Sequence, residues 1–357
     1  MSDPRRLTSC LTNYAATMAV ILLGLWIYTR DDNFLWAEFN VRIEFQLFGD
    51  DRAVGTLDVL IWLSALYAVV LIPYYAMRPG YVSDARRILG YLRLWAFTKT
   101  QPEFGADKRR AALCLALKAF FVPLMLGFLL NNIGEVIQHW TEITSDDTDA
   151  RLALRLNSSF FYLLLAALYA IDVVIFTFGY LVEARSLRNE IKSVDPTVLG
   201  WVSCLICYPP FNHVGFAFFA WQRIDGADFG PPILEATLAA ISVAAVAVFA
   251  WASLALGFRA SNLTNRGIVA RGPYRWVRHP AYAVKNIAVW ISAIPTLTDA
   301  FSNNAVSKAL WVLTCLVVWT LIYVVRAITE ERHLLMTDND YAEYRTKVRF
   351  RFVPGLL

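Results

Sequence analysis

The sequence predicts an all-α, polytopic membrane helix bundle with about eight transmembrane helices. Two observations carry that expectation. Of the 357 residues, 57% are apolar and only 17% are charged, against about 25% charged in an ordinary soluble domain. Mean hydropathy is +0.46. The apolar residues also fall in blocks of roughly twenty, the length a helix needs to cross about 30 Å of hydrocarbon. A backbone in lipid must satisfy its own hydrogen bonds, so each block reads as a helix.

Taken in order, the blocks are 12–29, 57–77, 111–133, 157–181, 199–220, 236–257, 281–298 and 306–328. The first has no small-residue cleavage site after it and reads as a retained helix, not a leader. The fifth contains Tyr-Pro-Pro-Phe-Asn at 208–212. Its two prolines remove backbone donors, so a kinked or broken helix is predicted there. The seventh is short and carries Lys285 and Asn286 near its start. Two connecting segments read as amphipathic helices lying on the membrane surface. One is 81–97, where arginines alternate with leucine and tryptophan; the other is 31–56, where aromatics alternate with charges.

Charge sets the orientation. The connections 78–110, 183–198 and 258–280 hold sixteen Lys and Arg residues. The opposite connections hold about seven and include the acidic run 145–149, so the basic side is the cytoplasmic one. An even number of spans puts both termini on that side. The chain is then a multi-pass protein of a bacterial inner membrane or an endomembrane. A net charge of +4 spread over helix ends implies no nucleic-acid partner. The cysteines Cys10, Cys114, Cys204, Cys207 and Cys315 sit mostly in apolar runs. They imply packing residues, with no disulfide framework and no metal site. One helix break and no internal repeat argue against a transporter, which commonly pairs interrupted helices across two halves.

The chemistry concentrates in two cytoplasmic segments. The first is Arg-Gly-Pro-Tyr-Arg-Trp-Val-Arg-His-Pro-Ala-Tyr at 271–282. Pro280 suits the first turn of a helix, which places His279 near the N-cap. A helix N-terminus with Arg275 and Arg278 beside it is an anion site. Tyr274 and Tyr282 add phenols and aromatic faces. The second segment follows the last span, where Glu330 and Glu331 emerge close to Arg326. Carboxylates are disfavoured at a helix C-terminus, so other groups must hold them. The short hairpin of the last two spans brings both segments together. Arginine and helix N–H groups would take a carboxylate or phosphate, the glutamates would take hydroxyls or an amine, and the aromatics would take a purine.

The pattern GPYRWVRHPAY, then a transmembrane hairpin, then EERHL, DYAEY and a closing RFVP resembles the isoprenylcysteine carboxyl methyltransferase and phospholipid methyltransferase superfamily. The resemblance covers roughly residues 250–357. It implies that Arg278, His279, Pro280, Tyr282, Glu330 and Glu331 surround S-adenosyl-L-methionine, with Tyr274 and Arg275 as further candidates. It also implies a lipid, isoprenoid or lipid-linked acceptor at the cytoplasmic face. Where the family often has Gly two residues after the motif Tyr, this chain has Val284. The ending VRFRFVP also resembles related sterol reductases that use NADPH, so an NADPH-dependent membrane reductase is the alternative. The regular EERHL favours methyl transfer. On this reading 236–357 is the methyltransferase-like core, and 1–235 is a multi-span region of unassigned role.

A methyl acceptor with a protic nucleophile needs a base, for which His279 and Glu331 are the candidates, with Arg278 aligning. On the acceptor side, Asp172 is an acid in mid-span. Asn212 and His213 follow the proline break. The polar segment 183–197 either contacts the acceptor headgroup or lies as a solvated amphipathic helix.

Overall fold

The computed structural model describes residues 4–30, 39–47, 50–98, 102–144, 152–213 and 232–355. Six of its helices are long and apolar enough to cross a membrane. They are α1 (Pro4–Tyr28), α2 (Thr56–Ala76), α4 (Ala106–Thr144), α5 (Leu152–Leu181), α7 (Pro232–Leu256) and α10 (Val306–Thr337). The all-α bundle of an integral membrane protein is therefore present. The two remaining predicted spans differ, for reasons given below. The chain divides into two compact units, Met1–Asn131 and Asn132–Leu357. Residues 236–357 fall wholly within the second.

In the first unit α1 packs on α2 and on α3 (Asp84–Phe97). Polar groups make the joints. Thr17 and Tyr75 hydroxyls lie 2.8 Å apart. The Asn13 amide donates to Tyr81 O and accepts from Ser83 N, both at 2.8 Å. Ser83 in turn caps α3 by accepting from Arg86 N, a contact worth about 1 kcal/mol at an N-cap. The predicted surface helix at 81–97 is thus a helix. Leu89, Leu92, Leu94, Trp95 and Phe97 are exposed on it.

The second predicted surface helix, within 31–56, is corrected. Arg42–Leu47 (β1) and Asp50–Gly55 (β2) form an antiparallel hairpin. The alternation Arg42, Ile43, Glu44, Phe45, Gln46, Leu47 has period two, which is the strand period and not the helical one. Residues 31–38 lie outside the described residues.

In the second unit α5 and α8 (Pro280–Ser292) both pack on α7. Helix α10 contacts α6 (Val198–Leu205), α8, α9 (Ile294–Ser302) and α11 (Asn339–Lys347). The fifth predicted span is broken as expected. Helix α6 stops at Leu205 and the chain turns through Pro209 and Pro210; the run 214–231 is outside the described residues. The seventh is two short helices. Pro295 has no N–H to continue α8, and its ring would meet the carbonyl four residues back. The chain therefore restarts as α9. Ala293, Val312 and Leu316 form a buried cluster that holds α8, α9 and α10 together.

For the segment 183–197, the alternative of a solvated amphipathic helix is also corrected. The segment is not a helix beyond the single turn Arg185–Leu187. Ser193–Val194 (β3) pairs antiparallel with Thr264–Asn265 (β4). The loop that contains β4 lies directly on α5, because a Cβ at Gly179 would overlap Ala260 O. Helix α10 runs to Thr337, well past the predicted end at 328. Glu330 and Glu331 therefore sit within a helix and not at its terminus.

Candidate functional site

His279 is the N-cap of α8 and Pro280 its first residue, as the sequence implied. The surroundings of the cap were not foreseen. The N–H groups of Arg278 and His279 donate to Phe350 O at 3.0 Å and Arg351 O at 2.9 Å. Arg278 Nη1 donates to Val348 O at 2.8 Å and to Arg349 O at 2.5 Å. The C-terminal tail is thus stitched along the start of α8. Those N–H groups are spent on the chain itself and are not offered to an anion.

Glu331 is the knot of this stitching. It is 3% exposed. Its Oε1 accepts from Arg278 Nε at 2.8 Å and from Arg351 Nε at 3.0 Å, and lies 3.1 Å from His279 Nε2. Its Oε2 accepts from Arg351 Nη2 at 3.0 Å. A buried carboxylate requires this many partners to offset its desolvation. Pairing with Glu331 also raises the Arg351 pKa. The carboxylate is fully occupied, and it does not line the neighbouring cavity.

Glu330 faces the other way, because consecutive helix residues point about 100° apart. Its side chain is 41% exposed. It accepts from Tyr282 OH at 2.8 Å and lies 3.9 Å from His279 Nδ1. The rings of His279 and Tyr282 stack with centroids 5.2 Å apart. Tyr282 meets Tyr323 edge-on at 5.3 Å. Above these rings sits Arg326, 6% exposed. Its guanidinium lies 5.1 Å from the Tyr282 centroid, 5.6 Å from Tyr208 and 5.9 Å from Tyr323. Its Nη2 donates to Asn262 Oδ1. Asn262 is fixed by Tyr180 and Tyr208 hydroxyls. Among the described residues Arg326 forms no ion pair.

These groups open on a cavity of about 140 Å³. Glu330, Arg326, Tyr282 and His279 form one part of its wall, and Tyr341 and Tyr344 another. Burial pushes the phenols of Tyr274, Tyr341 and Tyr344 up, so they act as neutral donors. Tyr344 OH donates to Tyr274 O at 2.7 Å, and Tyr341, Tyr344 and Val348 pack as a buried cluster with Ile268 and Leu334. At the beginning of the motif, Gly272 has φ +59°, and a Cβ there would lie 2.8 Å from Ala255 Cβ. Only glycine lets the turn 272–275 approach α7 this closely.

The expected residues therefore divide into groups. Tyr274, Arg278, His279, Tyr282 and Glu330 line the cavity. Pro280 sets the helix start and is buried. Glu331 stands behind the wall. Arg275 is exposed, lies over the Trp276 ring at 4.3 Å and does not reach the cavity. Asn212 and His213 are helical residues just after the break, with backbone bonds back to Tyr208 O and Pro210 O, and are also outside the cavity lining. Asp172 is held by Ser253, whose hydroxyl donates to it, and Ser253 lines the cavity. Sequence reasoning did not select Arg326, Lys285, Asn262, Tyr341, Tyr344 or Arg351. For Arg326 the available signal was an arginine inside an apolar span, and for Arg351 its position in the VRFRFVP ending.

All five cysteines are free thiols, and Cys114, Cys204 and Cys315 are buried. Residues 236–336 match the model of the isoprenylcysteine carboxyl methyltransferase (ICMT) family. The matched stretch runs from the start of α7 to the end of α10. It holds Arg278, His279, Tyr282, Arg326, Glu330 and Glu331, and it supports a membrane methyltransferase. Searches of curated proteins and of solved structures return no match.

Proposed function

We propose that the protein is an integral-membrane methyltransferase that uses S-adenosyl-L-methionine and acts on a lipid, isoprenoid or lipid-linked acceptor at the cytoplasmic face. The observation that carries this reading is a coincidence. The stretch matched by the ICMT family is the one that supplies the mixed-charge wall of the cavity.

The chemistry of that wall fits the donor. S-adenosyl-L-methionine carries a carboxylate, an amine, ribose hydroxyls, a purine and a sulfonium cation. Arg326, buried and without an ion pair among the described residues, would take the carboxylate. Glu330, held by Tyr282, would accept from the amine or the ribose. The faces of Tyr341 and Tyr344 suit the purine and the cation. When bound, the donor supplies an electrophilic methyl group. The protein supplies position, electrostatics and exclusion of water. Holding the reactants in near-attack range lowers the barrier by about 7–11 kcal/mol. Glu331 acts through the fold in this account: it clamps the tail and orients His279 from behind the wall, while Arg278 shares that clamp and also lines the cavity. In this reading the cavity mouth is on the cytoplasmic side, because Lys and Arg concentrate in the connections of that side.

The test is transfer of a labelled methyl group from S-adenosyl-L-methionine into the lipid fraction of membranes that contain the protein. Label above that of membranes lacking the protein, reduced in Glu330→Ala and Arg326→Met, supports the reading. No transfer with any lipid fraction would refute it.

A further inference from the structure

The proposed function leaves the deeper end of the cavity without a task. Helices α5, α7 and α8 converge there, and each contributes a polar group. Ser253 and Phe249 lie one turn apart on α7, and Phe176 lies one turn beyond Asp172 on α5. Residues four apart share a helix face. Lys285 lies one turn beyond Ala281 on α8, and its Nζ sits over the Phe249 ring at 4.3 Å. Phe176, Phe249, Ser253, Ala281 and Lys285 all line the cavity. Asp172 is immediately behind Ser253, which donates to its carboxylate, and it interacts electrostatically with Lys285. Lys285 is five residues into α8, or about 7.5 Å deeper than Pro280 at 1.5 Å per residue. The cavity thus has a charged end at His279, Tyr282 and Glu330, and an inner end with aromatic walls, the Lys285 amine and the Ser253 hydroxyl, with the Asp172 carboxyl behind that hydroxyl.

We propose that Asp172, Ser253 and Lys285 form the acceptor subsite, and that the acceptor is a phenolic amphiphile methylated on its hydroxyl oxygen. This rests on the methyltransferase reading. Charge selects the acceptor class. Asp172 and Lys285 offset one another, so a carboxylate or an ammonium entering the subsite meets two costs, the desolvation of its own uncompensated charge and competition with that pairing. A neutral hydroxyl meets neither; it donates towards the carboxylate and accepts from the ammonium. Acidity then selects among hydroxyls. An alkanol is about as weak an acid as water, with a pKa of about 15.7. A phenol, at about 10, is within far easier reach of a carboxylate base, and the walls of Phe176 and Phe249 suit its ring. In the reaction the phenol O–H proton passes to Ser253 Oγ as the Ser253 hydroxyl proton passes to the Asp172 carboxylate. The oxygen forms the new O–CH3 bond as the S–CH3 bond breaks, and that electron pair stays on sulfur as the thioether. The Lys285 ammonium stabilises charge on the oxygen during transfer.

The experiment uses the full chain in phospholipid nanodiscs and three amphiphilic probes: 4-dodecylphenol, dodecanoate and dodecylamine. Binding is read by calorimetry without donor, so the ranking depends on neither turnover nor any variant. The expected result is that 4-dodecylphenol binds at least tenfold more tightly than either charged probe. Asp172→Asn should remove that preference and leave S-adenosylhomocysteine affinity unchanged. With labelled donor, 4-dodecylphenol should yield an alkali-stable methyl ether, and Asp172→Asn should slow its formation by about 10²–10⁴, the usual weight of a general base. Preferred binding of dodecanoate or dodecylamine, an alkali-labile methyl ester as product, or full activity in Asp172→Asn would overturn the proposal. Absence of S-adenosylhomocysteine binding in the wild type would instead refute the methyltransferase reading, while the probe ranking still reports on the subsite.

Discussion

Replacing Glu331 with glutamine separates two roles for that residue: clamping the tail or touching the donor. The carboxylate accepts three hydrogen bonds from two arginines and lies 3.1 Å from a ring nitrogen of His279. Glutamine keeps one oxygen and turns an N–H2 towards groups that are all donors or cations. Arg278, buried beside it, loses its counter-charge. Removing one partner of a buried ion pair destabilises by about 3–5 kcal/mol. At about 2–4 °C per kcal/mol for mid-sized domains, the apparent melting temperature should fall by roughly 6–20 °C. Thermal unfolding of the nanodisc-embedded protein, followed by tryptophan fluorescence, measures this. The tail would also become more accessible to protease near Arg349. An unchanged melting temperature with lost S-adenosylhomocysteine affinity would refute the clamp and make Glu331 a donor ligand instead.

Three further outcomes follow from single contacts. Tyr282→Phe removes the hydroxyl that holds Glu330; the loss of about 0.5–1.5 kcal/mol should weaken S-adenosylhomocysteine binding by roughly 2–12-fold, measured by calorimetry, with little change in melting temperature. Gly272→Ala forces φ +59° on a residue with a Cβ and drives that atom to 2.8 Å from Ala255 Cβ. A loss of about 1–3 kcal/mol is expected from the strain, visible as a lower melting temperature. Asp338 is raised by burial but pulled below the usual carboxylate range by Lys192, by the Asp340 N–H and by Asn265. Its stabilisation is therefore fully present above its unfolded pKa of about 3.9 and is lost as pH falls through the lower folded value. Because Lys192 is half exposed, the effect is about 1 kcal/mol or less. Wild type and Asp338→Asn should differ above about pH 4 and converge below it, as read by stability at graded pH.

The parts of the site that follow from local chemistry were legible in the sequence. Pro280 starts a helix because its missing N–H costs nothing there, and that fixes His279 as the cap. The short hairpin brings Glu330 and Glu331 to the same end. Both acids do have partners, Glu331 in Arg278, His279 and Arg351 and Glu330 in Tyr282, although they lie inside α10 and not at its end. What sequence did not reveal depends on rotation and on distant partners. Which of two adjacent glutamates faces the cavity is set by the azimuth of α10, and no spacing rule fixes it. The tail carbonyls of Val348 and Arg349 meet Arg278 across about seventy residues of chain, and Arg351 meets Glu331 across twenty. The hairpin at 42–55 was legible in principle, since its alternation has period two, but its aromatics and charges also fit a surface helix. The pairing of 193–194 with 264–265 leaves only two residues on each side, too few for a periodic signal.

The central claim is that the cavity between α8 and α10 holds the methyl donor. Calorimetric titration of the nanodisc-embedded protein with S-adenosylhomocysteine, and in parallel with NADPH, tests it most directly. The account predicts micromolar binding of S-adenosylhomocysteine, lost in Glu330→Ala, and no heat from NADPH. Binding of NADPH alone would contradict it and make the protein a reductase.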